Sequence, residues 1–162
     1  MLHPLDDTDV GILRLLQQNG RFTLKELGEK LNKSTSSIND RIKRIQDDGY
    51  IRGYGVQIDH LKVGLALICF THVKIKDHLH EDVSRFAREI IKHEQVLECF
   101  KVSGEFDFML RIASKDTAAY HDFLDQVVSK LVPLANLQST FVLQEVKTGT
   151  VLPIGQAKFQ EV

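Results

Sequence analysis

Polar and apolar positions recur with two different periods along this chain, and the change of period divides it. In the first 50 residues the period is helical. Val10, Leu13 and Leu16, with Ile12 beside them, follow Asp6, a good N-cap, and Asp9, a carboxylate placed where a helix N-terminus favours negative charge. Asn19-Gly20, both tolerant of a left-handed backbone, should close this helix. Thr23 and Glu26 form a Thr-x-x-Glu capping box for a second short helix over residues 23–31. After a tight turn at Asn32-Lys33, Ser34 opens a third helix with Ile38, Ile42 and Ile45 on one face, ending near Asp48-Gly49. Residues 50–58 read as two short strands around Arg52-Gly53, a small β-wing. Three short helices and a hairpin in about 55 residues predict a winged helix-turn-helix.

Beyond a polar connection at residues 59–64 the pattern alternates between strand and helix. Strands are predicted at 65–76, 96–103, 106–113 and 137–146. Between them lie one amphipathic helix bearing Val83, Phe86, Ala87, Ile90 and Ile91, and a second bearing Tyr120, Phe123, Leu124, Val127, Val128 and Leu131, stopped by Pro133. Gly104-Glu105 fits a two-residue type II′ hairpin turn between the middle strands. The order is β-α-β-β-α-β, a ferredoxin-like split unit, so the fold class expected is α+β. Residues 1–60 should be the helix-turn-helix domain, with the wing and connecting strand at about 50–64, and residues 65–154 the βαββαβ domain. Residues 155–162 lack any periodicity and are expected to be a flexible tail.

Both helices of a split βαββαβ unit cover one sheet face, yet the predicted strands are apolar on two. Phe108, Leu110 and Ile112 oppose Met109 and Ala113, while Leu67, Cys69 and Val73 oppose Ala66, Ile68 and Phe70. A bare apolar face of several hundred Å² is unusual on a soluble monomer, so a dimer, or a larger ring, is expected.

Charge changes this picture locally rather than globally. The 162 residues have a formal charge of −1, so the molecule as a whole is no polycation. Residues 33–44, however, hold Lys33, Arg41, Lys43 and Arg44 against Asp40 alone. Such a patch on a helix is what a nucleic-acid contact needs. With the isoleucine stripe inward, Ser36, Asp40, Lys43 and Asp47 face outward, flanked by Ser37, Asn39 and Arg44. Ser34, Thr35 and Ser36 stand at the end of the helix that meets base edges, and Asn39 could pair with adenine through its amide. Arg41, Lys43 and Arg44 would supply cations for phosphates, and Arg52 of the wing could reach a neighbouring one.

No chemistry of another kind competes. Cys69 and Cys99 are isolated and make neither a disulfide framework nor a zinc site. There is no phosphate loop and no catalytic spacing of Ser, His and carboxylates, so no enzyme activity, metal or cofactor is expected. The N-terminus has no signal-peptide pattern, and no apolar run approaches the ~20 residues of a membrane span, which together suggest a cytoplasmic protein.

Several groups of residues occur together at family-specific spacing. They are Leu5-Asp6-x-x-Asp9-x-x-Ile12-Leu13, Gly20-Arg21, Glu26-Leu27-Gly28, Ser34-x-x-x-Ile38-x-x-Arg41-Ile42-x-x-Ile45, Gly49-Tyr50-Ile51-x-Gly53-Tyr54, Ser103-Gly104-x-x-Asp107-Phe108 and Thr140-x-Val142-Leu143. With them the chain, from Leu5 to about Pro153, resembles the feast/famine (Lrp/AsnC) transcription regulators. The resemblance implies a homodimer formed through the C-terminal sheet, often an octamer, on double-stranded DNA. It also implies a small effector, typically an amino acid, held between dimers. The matching positions are Ser103, Gly104, Glu105, Phe106 and Asp107, with Thr140 from the last strand. Backbone amides around Gly104 could receive a carboxylate, and Asp107 could accept from an α-ammonium.

The resemblance leaves two alternatives. One is a siroheme-decarboxylase-like enzyme on the same two modules, which would need histidines converging on an acidic tetrapyrrole. His3, His60, His72, His78, His80, His93 and His121 are scattered instead. The other is a weakly specific architectural DNA-binding protein, which differs in specificity and not in fold.

Overall fold

The computed structural model describes residues 3–77, 79–149 and 151–155. They form two compact units, one comprising Ile58–Val146 and the other the residues up to Gln57 together with those from Lys147 onward. The division therefore differs from the expected 65–154: the connecting turn joins the second unit, and the residues after Val146 return to the first.

In the first unit, local signals fix three helices. Helix α1 (Asp7–Gln18) carries a reciprocal capping box between Asp6 and Asp9, and α2 (Leu24–Leu31) one between Thr23 and Glu26. Asn32 takes the left-handed conformation (φ 54°) that turns the chain into α3 (Thr35–Asp47), which Ser34 caps. A left-handed Gly49 (φ 77°) ends α3, with Gly49 N–H donating to Gln46 and Tyr50 N–H to Ile45, the paired bonds of a Schellman cap. Ile12, Leu27, Ile38 and Ile45 are fully buried at the centre. Close approach of α2 to the turn before α3 depends on Gly28, where a Cβ would lie 2.6 Å from the Lys33 carbonyl oxygen.

Two local expectations are corrected here. Helix α1 does not end in a left-handed residue: Asn19 is extended (φ −150°), and its side-chain oxygen accepts from Arg21 N–H in an Asx turn. Nor do residues 50–58 form a hairpin among the described residues; none of them is in a strand. Tyr50 and Ile51 pack against the three-helix core and Tyr50 donates its hydroxyl to the His3 carbonyl, so they do not pair across Arg52-Gly53.

The second unit has the expected order: β1 (Leu67–Ile75), α4 (His80–Ile90), β2 (Val96–Lys101), β3 (Phe108–Ser114), α5 (Thr117–Phe123), a π turn (Leu124–Val128), α6 (Ser129–Leu131) and β4 (Leu134–Phe141). The sheet is antiparallel in the order β2-β3-β1-β4. On one face Cys69, Val73, Phe108, Leu110 and Ile112 pack against Phe86, Ile90, Tyr120 and Phe123 of the helices. A buried hydroxyl chain runs from Thr71 through Tyr120 to Ser139, so the Tyr120 polar tip is satisfied inside that core.

Four expectations change. Helix α4 ends at Ile90, which leaves Ile91 65% exposed instead of on the core face. The β2–β3 connection is the six residues 102–107, closed by Val102 N–H donating to the Asp107 carbonyl, and not a two-residue turn. Pairing of β4 begins directly after Pro133, with Leu134 opposite Ile75, so the strand lies nearer Pro133 than predicted, and Leu143 and Val146 are exposed beyond it. The helix-free sheet face is mixed rather than apolar. Ile68, Phe70, Met109 and Phe100 share it with Arg111, which pairs with Glu98 (3.6 Å) and Glu145 (3.4 Å). Of the predicted tail, Gly155 is described and residues 156–162 lie outside the described residues, as does His78.

Candidate nucleic-acid interface and effector site

Helix α3 presents the face that the isoleucine stripe leaves over. Ile38 and Ile45 are buried and Ile42 is partly buried, while Thr35, Ser36, Asp40 and Lys43 are exposed and Ser37 and Asn39 half-buried. At its N-terminus Ser34 Oγ accepts from Ser37 N–H (3.2 Å) and lies 3.1 Å from Ser36 Oγ. No acidic residue occupies the first turn, so the positive end of the helix dipole is left for an external anion.

Two of the predicted phosphate contacts are engaged elsewhere. The Arg41 guanidinium donates to Asp6 Oδ2 (2.6 Å) and Asp9 Oδ1 (2.7 Å), and Arg44 donates to Asp9 Oδ2. Asp9 is fully buried and its Oδ2 also accepts from Asp6 N–H, so one carboxylate caps α1 and holds two arginines of α3. Charge-assisted bonds of this kind are about twice as strong as neutral ones. Partial burial works against ionisation of Asp6, but the Arg41 bond and the Asp9 amide outweigh it and hold its carboxyl below the usual range. The two carboxylates push the Arg41 guanidinium up. Lys33, Lys43 and Arg52, by contrast, are exposed and have no ion-pair partner among the described residues.

Sequence reasoning missed this clamp, although a signal for it exists. Asp9 lies one turn before Ile12, and Arg41 stands between Ile38 and Ile45, so a carboxylate and a guanidinium both flank inward stripes. A charge on an inward stripe requires a counter-charge.

In the second unit, the predicted effector residues separate into two places. Ser103, Gly104 and Glu105 are exposed at the tip of the 102–107 loop, where Gly104 has φ 109°, a conformation that favours glycine. Phe106 packs its ring against His72 of β1, with centroids 5.3 Å apart. The Asp107 carboxylate accepts from Ile75 N–H (2.7 Å) and its backbone N–H donates to the Val73 carbonyl (2.9 Å), which ties the loop to the end of β1. Thr140 stands on β4 opposite Phe70, three residues along β1 from Val73, or ~10 Å by strand rise. It therefore does not join the loop within one chain. Beneath Phe106, His72 Nδ1 is buried without a hydrogen-bond partner among the described residues.

Comparison with known proteins also separates two parts, although the second match runs past Val146 into residues of the first unit. Residues 68–152 match the model of the Lrp/AsnC ligand binding domain, and residues 5–52 that of a winged helix-turn-helix DNA-binding domain. The chain is 33% identical to the DNA-binding transcriptional activator DecR of Escherichia coli K12, over 93% of this chain and 99% of that protein. It is 31% identical to the Bkd operon transcriptional regulator of Pseudomonas aeruginosa, over 93% and 98%. Among solved structures it is similar to a transcriptional regulator of Neisseria meningitidis in complex with L-Met. The TM-score is 0.88 at 35% identity, covering 93% of this chain and 97% of that one.

Proposed function

The chain belongs to the Lrp/AsnC family of transcriptional regulators, and from that premise we propose how its two units divide the work. It is a DNA-binding transcription regulator with a small-molecule effector domain. Helix α3 is the recognition helix. Thr35, Ser36, Asn39 and Asp40 read base edges in the major groove, Asp40 as an acceptor from cytosine. Ser34 and Ser37 set the helix end against a phosphate. Lys33, Lys43 and Arg52 neutralise further phosphates, whereas Arg41 and Arg44 hold α3 on α1 and fix the angle at which it enters the groove. The observation that carries this reading is the exposed face of α3, which bears hydroxyls, an amide and free cations beside a dipole end without acidic residues.

The effector is an amino acid, received at the loop 103–107. Backbone amides around Gly104 meet its carboxylate, and the half-buried Asp107 and Phe106 define the floor. The Neisseria meningitidis relative in complex with L-Met supports this class of ligand. Because Thr140 lies away from the loop of its own chain, it contributes only if a second chain brings it there. The working form is accordingly a homodimer built on the helix-free sheet face and assembled further, to an octamer, in the cytoplasm. No catalytic role is assigned to any residue.

Anisotropy competition at fixed salt tests the reading. Fragments selected from genomic DNA should outcompete random duplex by at least ~10³-fold, the range of specific regulators. One of the twenty amino acids should shift that affinity. A preference below tenfold would favour the architectural alternative and refute the regulator.

A further inference from the structure

The first unit is completed by residues from the other end of the chain. After Val146 the chain returns to it, and residues 151–155 lie along α1. Gln17 grips the backbone of Leu152 from both sides: its Oε1 accepts from Leu152 N–H (2.7 Å) and its Nε2 donates to the Leu152 carbonyl (3.3 Å). One turn earlier, Arg14 Nε donates to the Ile154 carbonyl (2.8 Å). Ile154 packs on the helix-turn-helix core, and its own N–H closes a tight turn onto the Leu152 carbonyl (2.8 Å). Beneath this segment remains a groove of about 500 Å³, walled by Leu5, Leu13, Leu16, Ile51 and Tyr54.

These contacts read unlike core packing. Leu152 is 67% and Val151 63% exposed, so the segment is held by three side-chain bonds and one half-buried isoleucine over an incompletely filled floor. Few apolar contacts and solvent-exposed bonds define the low-stability end of a fold. The surface it occupies is not peripheral, because Arg14 and Gln17 sit on the helix whose first turn, through Asp6 and Asp9, holds Arg41 and Arg44 of α3. Whatever steadies α1 therefore steadies the recognition helix.

We propose that residues 151–155 are a releasable strap on α1, and that DNA affinity depends on the strap being seated. Since the chain leaves this unit after Gln57 and re-enters it at Lys147, the sensing unit is inserted between helix-turn-helix and strap, tethered at both ends. An effector-driven change in the sensing unit then has a second route to the DNA-binding unit, through tension on the strap. The affinity half of this proposal rests on the regulator reading above, and the seating half does not.

Amide exchange and DNA binding on full-length variants test the two halves separately. Arg14→Ala leaves both hydrogen bonds of Leu152 in place, so faster exchange at Leu152 in that variant reports release of the whole segment. About a tenfold rise is expected, the effect of losing one net anchoring bond. Gln17→Ala carries no charge change, and it should weaken DNA binding several-fold without altering the salt slope. A chain ending at Gly149 should bind as weakly, and Gln17→Ala should add nothing to it. Leu152 exchange within twofold of the parent in Arg14→Ala overturns the strap. Unchanged DNA affinity in Gln17→Ala, with exchange raised, overturns the dependence of binding on it. A parent chain that binds no DNA refutes the regulator reading and the affinity half together, and the exchange result still decides seating.

Discussion

Replacing Asp9 by Asn removes one charge and almost no volume, at a site where one carboxylate serves three donors. The parent Asp9 accepts from Arg41, Arg44 and Asp6 N–H and has no solvent exposure. An asparagine keeps one oxygen and turns an NH₂ toward a guanidinium, so one arginine loses its partner and faces a donor. Breaking a buried ion pair costs about 3–5 kcal/mol. Here the arginine side chains are 24% and 40% exposed and can take up water, which reduces the cost to about 2–3 kcal/mol. Urea melts followed by far-ultraviolet circular dichroism, which report the largely helical first unit, measure it. Asp40→Asn, on the exposed face of α3, is the control and should stay within ~0.5 kcal/mol of the parent. Should Asp9→Asn also stay within that margin, the clamp does not hold α3 and the reassignment of Arg41 and Arg44 is wrong.

Three further outcomes follow from the same geometry. Gly28→Ala puts a methyl 2.6 Å from the Lys33 carbonyl oxygen, so it should cost about 1–3 kcal/mol in a denaturant melt and displace α3, against the usual gain of Gly→Ala in a helix. Lys43→Ala should reduce the salt slope of DNA binding by about one, whereas Arg41→Ala should lower stability and leave the slope nearly unchanged; equal slope changes would restore Arg41 to the phosphates. Because the folded state holds the Asp6 carboxyl below its unfolded value, the stabilisation is complete above about pH 4 and lost as pH falls through the folded value. Thermal midpoints of the first unit should therefore drop on acidification below about pH 4, less steeply in Asp6→Asn, and parallel curves would contradict the assignment.

What the sequence made legible was local. Capping boxes at Asp6/Asp9 and Thr23/Glu26 span four residues each, and the Ile38–Ile42–Ile45 stripe spans two turns, so short-range rules suffice to place α1, α2 and α3 and orient the last. The βαββαβ order was legible for the same reason. Register and long-range pairing were not. The start of β4 is set by where Leu134 meets Ile75, and the length of the 102–107 loop by where Lys101 meets Phe108, neither of which leaves a mark on periodicity. Tyr50 and Ile51 serve the helical core, a tertiary demand that overrides strand propensity, and none of residues 50–58 is in a strand, although residues 5–52 match a winged helix-turn-helix. The Asp9 clamp joins residues 32 and 35 apart in sequence, and the Gln17–Leu152 grip joins residues 135 apart. A segment as short as 147–155 has no period to betray its partner. The residues proposed for DNA contact thus rest on type and face alone, and two of them, Arg41 and Arg44, meet carboxylates that only the fold brings near.

The most direct test is chemical-shift mapping of the ¹⁵N-labelled chain during titration with a duplex selected for tight binding. The backbone amides of Thr35, Ser36, Asn39 and Lys43 should shift or broaden most at saturation, with those of Ile38 and Ile45 following only as the helix is loaded. If saturation leaves residues 34–47 unmoved while another surface responds, α3 is not the recognition element, and the functional reading built on its outward face is contradicted.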